Sequence, residues 1–459
     1  VRIHQQFRPV LQLAVPLILA EVGWMCMGVV DTIMVGHMQQ PVVAIAASGL
    51  GEVTYNTLAF AMAGVLLGLD AFLSQSHGAG RWDEANRWLW HGLLLAAGLT
   101  LALAVLVGVA PLVLTRLPID RNVVTGATAV MRALNWGSPS LLLFFVIRRY
   151  MQAFNHVRPI AAALISANAL NALLDWLLIF GHSWGRWSVP ALGVFGSGIA
   201  TSLARLYMVT FIVLMMLRLD KRHGYGVRQM PRTFEPERLR RLVSMGGPVG
   251  LQIFTEIAIF AAVTYLCGVL GPLPLAAHEI ALTCASFTFM VPLGISNAAS
   301  VRVGQALGRS AIEEARAAGW ASIALAAGVM LCFATIMWTA APAIAGIFTR
   351  DAVVIAAAVP LLWVAACFQL FDGLQIAATG ALRGAGSTRA ALVAQLLGYW
   401  VLGLPVAWWM AFGRHMGALG MWIGLCCGLV VAAVLLVSVW WRTTGDLGSR
   451  RLVMSASGE

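Results

Sequence analysis

The chain has 459 residues, 60% of them hydrophobic and 11% charged, and a mean hydropathy of +0.83. Soluble domains carry about 25% charged residues, so a water-soluble globular protein is excluded. The net charge of +11 raises nucleic acid as a partner, but no separate basic domain or aromatic platform accompanies it, and no nucleic-acid role is expected.

Apolar stretches of about 20 residues, each long enough to cross a bilayer, recur from end to end. In chain order they predict twelve helical spans near 9–36, 45–76, 88–115, 124–153, 159–181, 190–217, 239–270, 276–307, 314–342, 352–382, 390–413 and 417–441. The first follows a short start with Arg2 and Arg8 and lacks a small-residue cleavage site, so it is read as a retained span. With the N-terminus cytoplasmic, 23 of the 30 Arg and Lys residues fall on the cytoplasmic side. Arg148, Arg149 and the run from Arg218 to Arg241 are among them; five lie opposite, and Arg132 and Arg205 lie within spans. That asymmetry predicts a multi-pass protein with both termini in the cytoplasm. The basic face then lies against anionic membrane lipid.

The polar segment 218–238 separates six spans from six. It predicts an N-terminal lobe over 1–217, a cytoplasmic linker over 218–238, and a C-terminal lobe over 239–459 with a short cytoplasmic tail. The lobes repeat one another weakly. Pro16 aligns with Pro248, 66–78 with 292–304 (Gly68 with Gly294, Ser74 with Ser300, Gly78 with Gly304), 151–159 with 382–390, and 192–196 with 416–420. Six spans is an even number, so both halves enter the membrane from the same side. The expected fold is therefore all-α and polytopic, two six-helix bundles related by a pseudo-two-fold axis along the membrane normal.

Eight acids fall within spans: Glu21, Asp31, Glu52, Asp70, Asp175, Glu256, Glu279 and Asp372. A charge at bilayer depth costs about 2.5–3.5 kcal/mol even on lenient scales. Each acid therefore needs a partner, a cavity or a proton. Asp31 follows a long apolar run, and Asn171 and Asp175 share one helix face with Asn168 a turn earlier. Glu256 and Asp372 are flanked by apolar sequence. These four carboxylates are the leading cation-site candidates, whereas Glu21, Glu52, Asp70 and Glu279 are placed nearer a rim or cavity mouth. Pro16 and Pro248 interrupt helical bonding at equivalent positions and are candidate bending or gating points.

The bland readings cover the rest. Trp82, Trp88, Trp90, Trp184, Trp187, Trp408, Trp409, Trp440 and Trp441 read as an interfacial belt. The seven cysteines read as small buried hydrophobes, and the histidines lack metal-ligand spacing. No cofactor is expected.

Three stretches carry a family resemblance: P-L-I-L-A-E-V-G-W-M-C-M-G-V-V-D-T-I-M-V-G-H (16–37), G-G-P-V-G-L-Q-I-F-T-E (246–256) and D-G-L-Q-I-A-A-T-G-A-L-R-G-A-G (372–386). They resemble multidrug and toxic compound extrusion (MATE) transporters, most of all the bacterial NorM-type branch, across essentially all twelve spans. The resemblance implies a V-shaped pair of lobes and alternating-access antiport of amphipathic, often cationic drugs and dyes. Exchange is against H⁺ or Na⁺, by a monomer in the bacterial inner membrane. It implies an N-lobe cation site of Asp31, Asn171, Asp175 and Thr201, and a C-lobe site of Glu256 and Asp372 proposed for Na⁺ in that branch. Where some relatives carry a tyrosine near the tenth-span acid, this chain has Cys367 and Phe368. A lipid or lipid-linked oligosaccharide flippase is the alternative within transport. A membrane receptor or enzyme is the alternative outside it.

Overall fold

The computed structural model describes residues 3–38, 41–116, 120–184 and 187–446. The expected C-terminal tail beyond 446, Arg2 and Arg186 lie outside the described residues. With no water to satisfy backbone groups in lipid, a spanning chain must close its hydrogen bonds within helices, and almost the whole chain does. The helices are α1 His4–Gly36, α2 Pro41–Leu66, α3 Leu69–Gly78, α4 Trp82–Leu114, α5 Arg121–Trp136, α6 Ser138–Ala153, α7 Arg158–Phe180 and α8 Val194–His223. They continue as α9 Pro236–Leu270, α10 Pro272–Gly308, α11 Ile312–Thr339, α12 Ala341–Phe348, α13 Ala352–Gly384, α14 Arg389–Gln395, α15 Leu404–Trp408 and α16 Gly417–Asp446. Two π-helical stretches, Leu396–Gly403 and Trp409–Gly413, flank α15. One small feature departs from the all-α expectation: His182–Trp184 pairs antiparallel with Trp187–Val189 in a short hairpin.

Eleven helical runs are long and apolar enough to cross a membrane, and the bent pair α5–α6 makes the twelfth. That pair turns through 49°. Pro139 has no N–H to offer the preceding turn, and Ser202 Oγ donates to Ala133 O at 2.7 Å, taking up a carbonyl beside the bend.

The described residues form two compact units. The early unit holds Leu19–Leu69 and Arg81–Gly250. The late unit holds the chain up to Ile18, Asp70–Gly80 and everything from Leu251 on. The boundaries within α1 and α9 fall two residues beyond Pro16 and Pro248 respectively.

The internal repeat is visible in local chemistry. Asp120 and Asp351 both cap helix starts, accepting from Asn122 N and Val353 N at 2.8 Å each. Asp83 and Glu84 open α4 as Glu313 and Glu314 open α11, where carboxylates favour the helix N-terminus. Asn155 and Gly386 both leave their helices with positive φ (62° and 78°), and Gly193 and Gly417 share a φ of 58°. The left-handed turns closing α3 and α10 fall at Gly80 and Ser310, so the offset there is 230. The alignment of 66–78 with 292–304 is thus one helical turn short, and Gly78 corresponds to Gly308.

That pair decides a close helix approach inside the late unit. A Cβ on Gly78 would strike the Gln305 carbonyl, and one on Gly308 the Gln75 carbonyl. Alanine at either position is expected to cost about 1–3 kcal/mol through overpacking, read as a lower unfolding temperature in detergent. Gly98→Ala, which meets nothing within 4 Å, should leave that temperature unchanged.

Some sequence readings need correcting. Arg148 and Arg149 are not loop residues; both lie in α6, 1% and 3% exposed. Trp88 and Trp440 are buried and do not belong to an interfacial belt; Trp88 carries the Arg238 guanidinium over its ring at 4.7 Å. Only Cys267 among the cysteines is fully buried.

Candidate functional site

The first site lies entirely within the early unit. Spacings of three and four residues put Ser48, Glu52 and Tyr55 on one face of α2, Asn171 and Asp175 on one face of α7, and Ser197, Thr201 and Arg205 on one face of α8. Asp31 of α1 meets them. Thr201 Oγ1 donates to Asp31 Oδ2 at 2.9 Å, and Asn171 Nδ2 donates to Asp175 Oδ2 at 3.0 Å. The Asp31 and Asp175 side chains are electrostatic neighbours. Asp175 and Asn171 are fully buried. Asp31 Oδ1 and Asp175 Oδ1 are buried and find no donor among the described residues. Two ionised carboxylates cannot donate to one another, and their repulsion in a buried place is relieved by a proton or another cation.

All four residues expected of the N-lobe site are therefore brought together. Glu52, placed nearer a rim from sequence, belongs to the same cluster. It accepts from Ser48 Oγ at 2.7 Å and lies within electrostatic reach of Asp31. Arg205 and Tyr55 are further members. Arg205 Nη1 donates to Tyr55 Oη at 3.1 Å, and the guanidinium sits 5.1 Å from that ring's centroid. Ser138 Oγ donates to Asn135 Oδ1 at 3.0 Å, so Tyr55 Oη donates to Ser138 Oγ at 2.8 Å. The signal was legible in part: Glu52 follows Ser48 by four residues, Tyr55 lies three further on, and Arg205 follows Thr201 by four.

The second site lies entirely within the late unit. Glu256 of α9 accepts from Gln395 Nε2 at 3.0 Å. Asp372 of α13 is an electrostatic neighbour of Glu256, and Tyr399 lies within electrostatic reach of both acids. Tyr399 comes from the π-helical stretch, is 2% exposed, and donates to Gln375 Oε1 at 3.3 Å. Thus the chain lacks a tyrosine at 367–368, while Tyr399 from another helix lies within electrostatic reach of the same acids. Local departures from α-helical winding commonly mark functional sites.

The remaining span acids are engaged elsewhere. Glu21 forms a buried ion pair with Arg148. Asp70 Oδ2 lies 2.9 Å from Arg383 Nε; Ser300 Oγ donates to the same oxygen at 3.4 Å, and Arg383 Nη2 donates to Asn297 Oδ1 at 3.1 Å. Glu279 is exposed on α10. Among the described residues no three His, Cys, Asp or Glu side chains are grouped to hold a metal ion. Pro16 and Pro248 lie inside continuous helices and enter neither site.

Twelve apolar spans from a duplicated chain, with uncompensated carboxylates clustered among the helices of each unit, define a multi-pass membrane transporter. The MatE family model matches residues 16–177 and 248–409, one stretch in each half, and the chain belongs to that family of MATE transporters. "Probable multidrug resistance protein NorM" of Xylella fastidiosa (strain 9a5c) is 33% identical over 444 residues, covering 96% of this chain and 92% of that protein. "Multidrug resistance protein MdtK" of Edwardsiella ictaluri is 31% identical over 447 residues, 94% of each chain. The crystal structure of the eukaryotic MATE transporter AtDTX14 superposes with a TM-score of 0.87 at 21% identity, covering 98% of this chain and 99% of that one.

Proposed function

We propose that the protein exports amphipathic, often cationic drugs and dyes from a bacterial cell. It does so as a monomer in the inner membrane, exchanging them for protons at the Asp31–Asp175 cluster. The observation that carries this reading is the pair of buried aspartates, each with one carboxylate oxygen that finds no donor among the described residues. Relatives named for multidrug resistance support the substrate class. A proton and a cationic drug compete for the same negative charge, so entry of one favours release of the other by linkage. A membrane potential adds about 2.3 kcal/mol per charge per 100 mV to inward cation movement. Pro16 and Pro248, close to the unit boundaries, supply the compliance that alternating access requires.

A second reading has its own support. Glu256, Asp372 and the Tyr399 hydroxyl, with Gln395 Oε1 lacking a donor among the described residues, make an all-oxygen set of the kind hard cations prefer. Na⁺ is the cation that set would hold, as a transported ion.

The test is ethidium efflux from liposomes carrying purified protein, under a proton gradient and a Na⁺ gradient imposed separately. Efflux under the proton gradient alone, retained in Glu256→Gln, is expected. A strict Na⁺ requirement, with efflux lost in Glu256→Gln, would move the coupling site to the late unit. Gradient-independent dye behaviour in folded protein would remove the exchange reading altogether.

A further inference from the structure

The early-unit cluster holds three carboxyl groups, Asp31 of α1, Glu52 of α2 and Asp175 of α7, and one guanidinium, Arg205 of α8. These are the charged groups that act on one another there; the other polar neighbours, Ser48, Tyr55, Asn171, Ser197 and Thr201, are uncharged. Arg205 is 4% exposed, yet it makes no direct ion pair among the described residues. The Tyr55–Ser138–Asn135 chain and the face of the Tyr55 ring hold it in place, and its Nε has no acceptor. It therefore adds a fixed positive charge near the acids without occupying their oxygens. Asp31 Oδ1, Asp175 Oδ1 and Asn171 Oδ1, all buried and without donors among the described residues, stay available to something else.

However many protons the three acids hold, the fixed charge of Arg205 offsets one of their negative charges. Negative charge that remains in a medium of low dielectric is costly until positive charge joins it. A proton or a cationic group of a substrate meets that need equally.

We infer that Arg205 is a specificity-determining residue that lowers by one the positive charge the cluster accepts, favouring monocationic over dicationic substrates. The inference rests on the reading that this cluster is the exchange site. Without Arg205 the cluster has room for one positive charge more; without Glu52 it has room for one fewer.

Ethidium and propidium test this, because they share one phenanthridinium ring and differ by propidium's additional quaternary ammonium. Binding of each to the purified full chain would be measured by fluorescence at one fixed pH. The intact protein should favour ethidium. Arg205→Gln should shift the ratio of affinities towards propidium by at least about tenfold, whereas Arg205→Lys, which keeps the charge, should retain the original ratio. Glu52→Gln should weaken ethidium by at least about tenfold, and the double variant Glu52→Gln/Arg205→Gln should restore it. If Arg205→Gln alone does not fold, the charge-balanced double variant and Glu52→Gln still decide. An unchanged ratio in Arg205→Gln, an equal shift in Arg205→Lys, or no rescue in the double variant overturns the inference. Asp31→Asn, run in parallel, separates the two failures. If it leaves both dyes and their pH dependence unaltered, the cluster is not the exchange site. If it weakens ethidium while the Arg205 variants change nothing, only the role of Arg205 falls.

Discussion

Asp31→Asn is expected to abolish proton-driven dye efflux while leaving the protein as stable as before, or more so. Asparagine matches aspartate in size and keeps an oxygen for the Thr201 hydroxyl, which lies 2.9 Å away in the intact protein. It cannot share a titratable proton with Asp175, and it removes one of the charges a cationic substrate would neutralise. A charged group at bilayer depth costs about 2.5–3.5 kcal/mol, so neutralising it relieves the fold while removing its function. Opposed changes of this kind distinguish a functional charge from a structural one. Efflux from liposomes and unfolding in detergent, measured on the same preparation, give the two readouts. A destabilised protein that still couples dye to the proton gradient would mean that Asp31 serves packing, and that the coupling proton resides elsewhere. Asp175→Asn should behave alike, because the proton belongs to the pair and not to either residue.

The second large effect concerns Asp70 and Arg383, 4% and 5% exposed at their side chains. Removing the carboxylate in Asp70→Asn leaves a buried guanidinium with an uncompensated charge. The expected loss is about 3–5 kcal/mol, because burial has already removed the water that would solvate it. Arg383→Met leaves the acid in the same position and should cost a similar amount. Replacing both by apolar residues should cost far less than the sum, since no isolated charge then remains. Unfolding midpoints of the two single variants and the double variant measure this directly. Single variants within about 1 kcal/mol of the intact protein would show that water reaches the pair and screens it.

Long, strongly apolar helices announce themselves in a sequence, and every expected span has its counterpart. Boundaries shifted because caps and charges extend helices past the apolar run, as Lys221, Arg222 and His223 do at the end of α8. The first site was largely legible because Asn171 and Asp175 share a face and Asp31 stands alone in its run. Which acids act together was not legible, since Glu52 and Glu21 look alike in sequence. Packing separates them: Glu21 meets Arg148 across 127 positions of chain, while Glu52 meets only Ser48 and the cluster's field. Tyr399 was missed because the acids lie on α9 and α13: it follows Gln395, the donor to Glu256, by four residues, but no spacing within one helix shows which other helices it faces. Arg148 and Arg149 were counted with the loops because a sequence count sees charge and not the partner that allows burial.

The division of the chain into units bears on how its two halves depend on one another. A break in the 218–238 linker would yield two fragments of six spans, matching the duplication in the sequence. Neither fragment would be self-sufficient. The one beginning after the linker would lack Asp70–Gly80, and with it the carboxylate for Arg383 and the Gln75 carbonyl that Gly308 packs against. The one ending before it would lack 236–250, the start of α9 that belongs to the early unit, including the Arg238 that Glu84 and Trp88 hold. Each half of the sequence thus lends a segment to the unit built mainly from the other, so the two fragments are expected to yield folded protein only when expressed together.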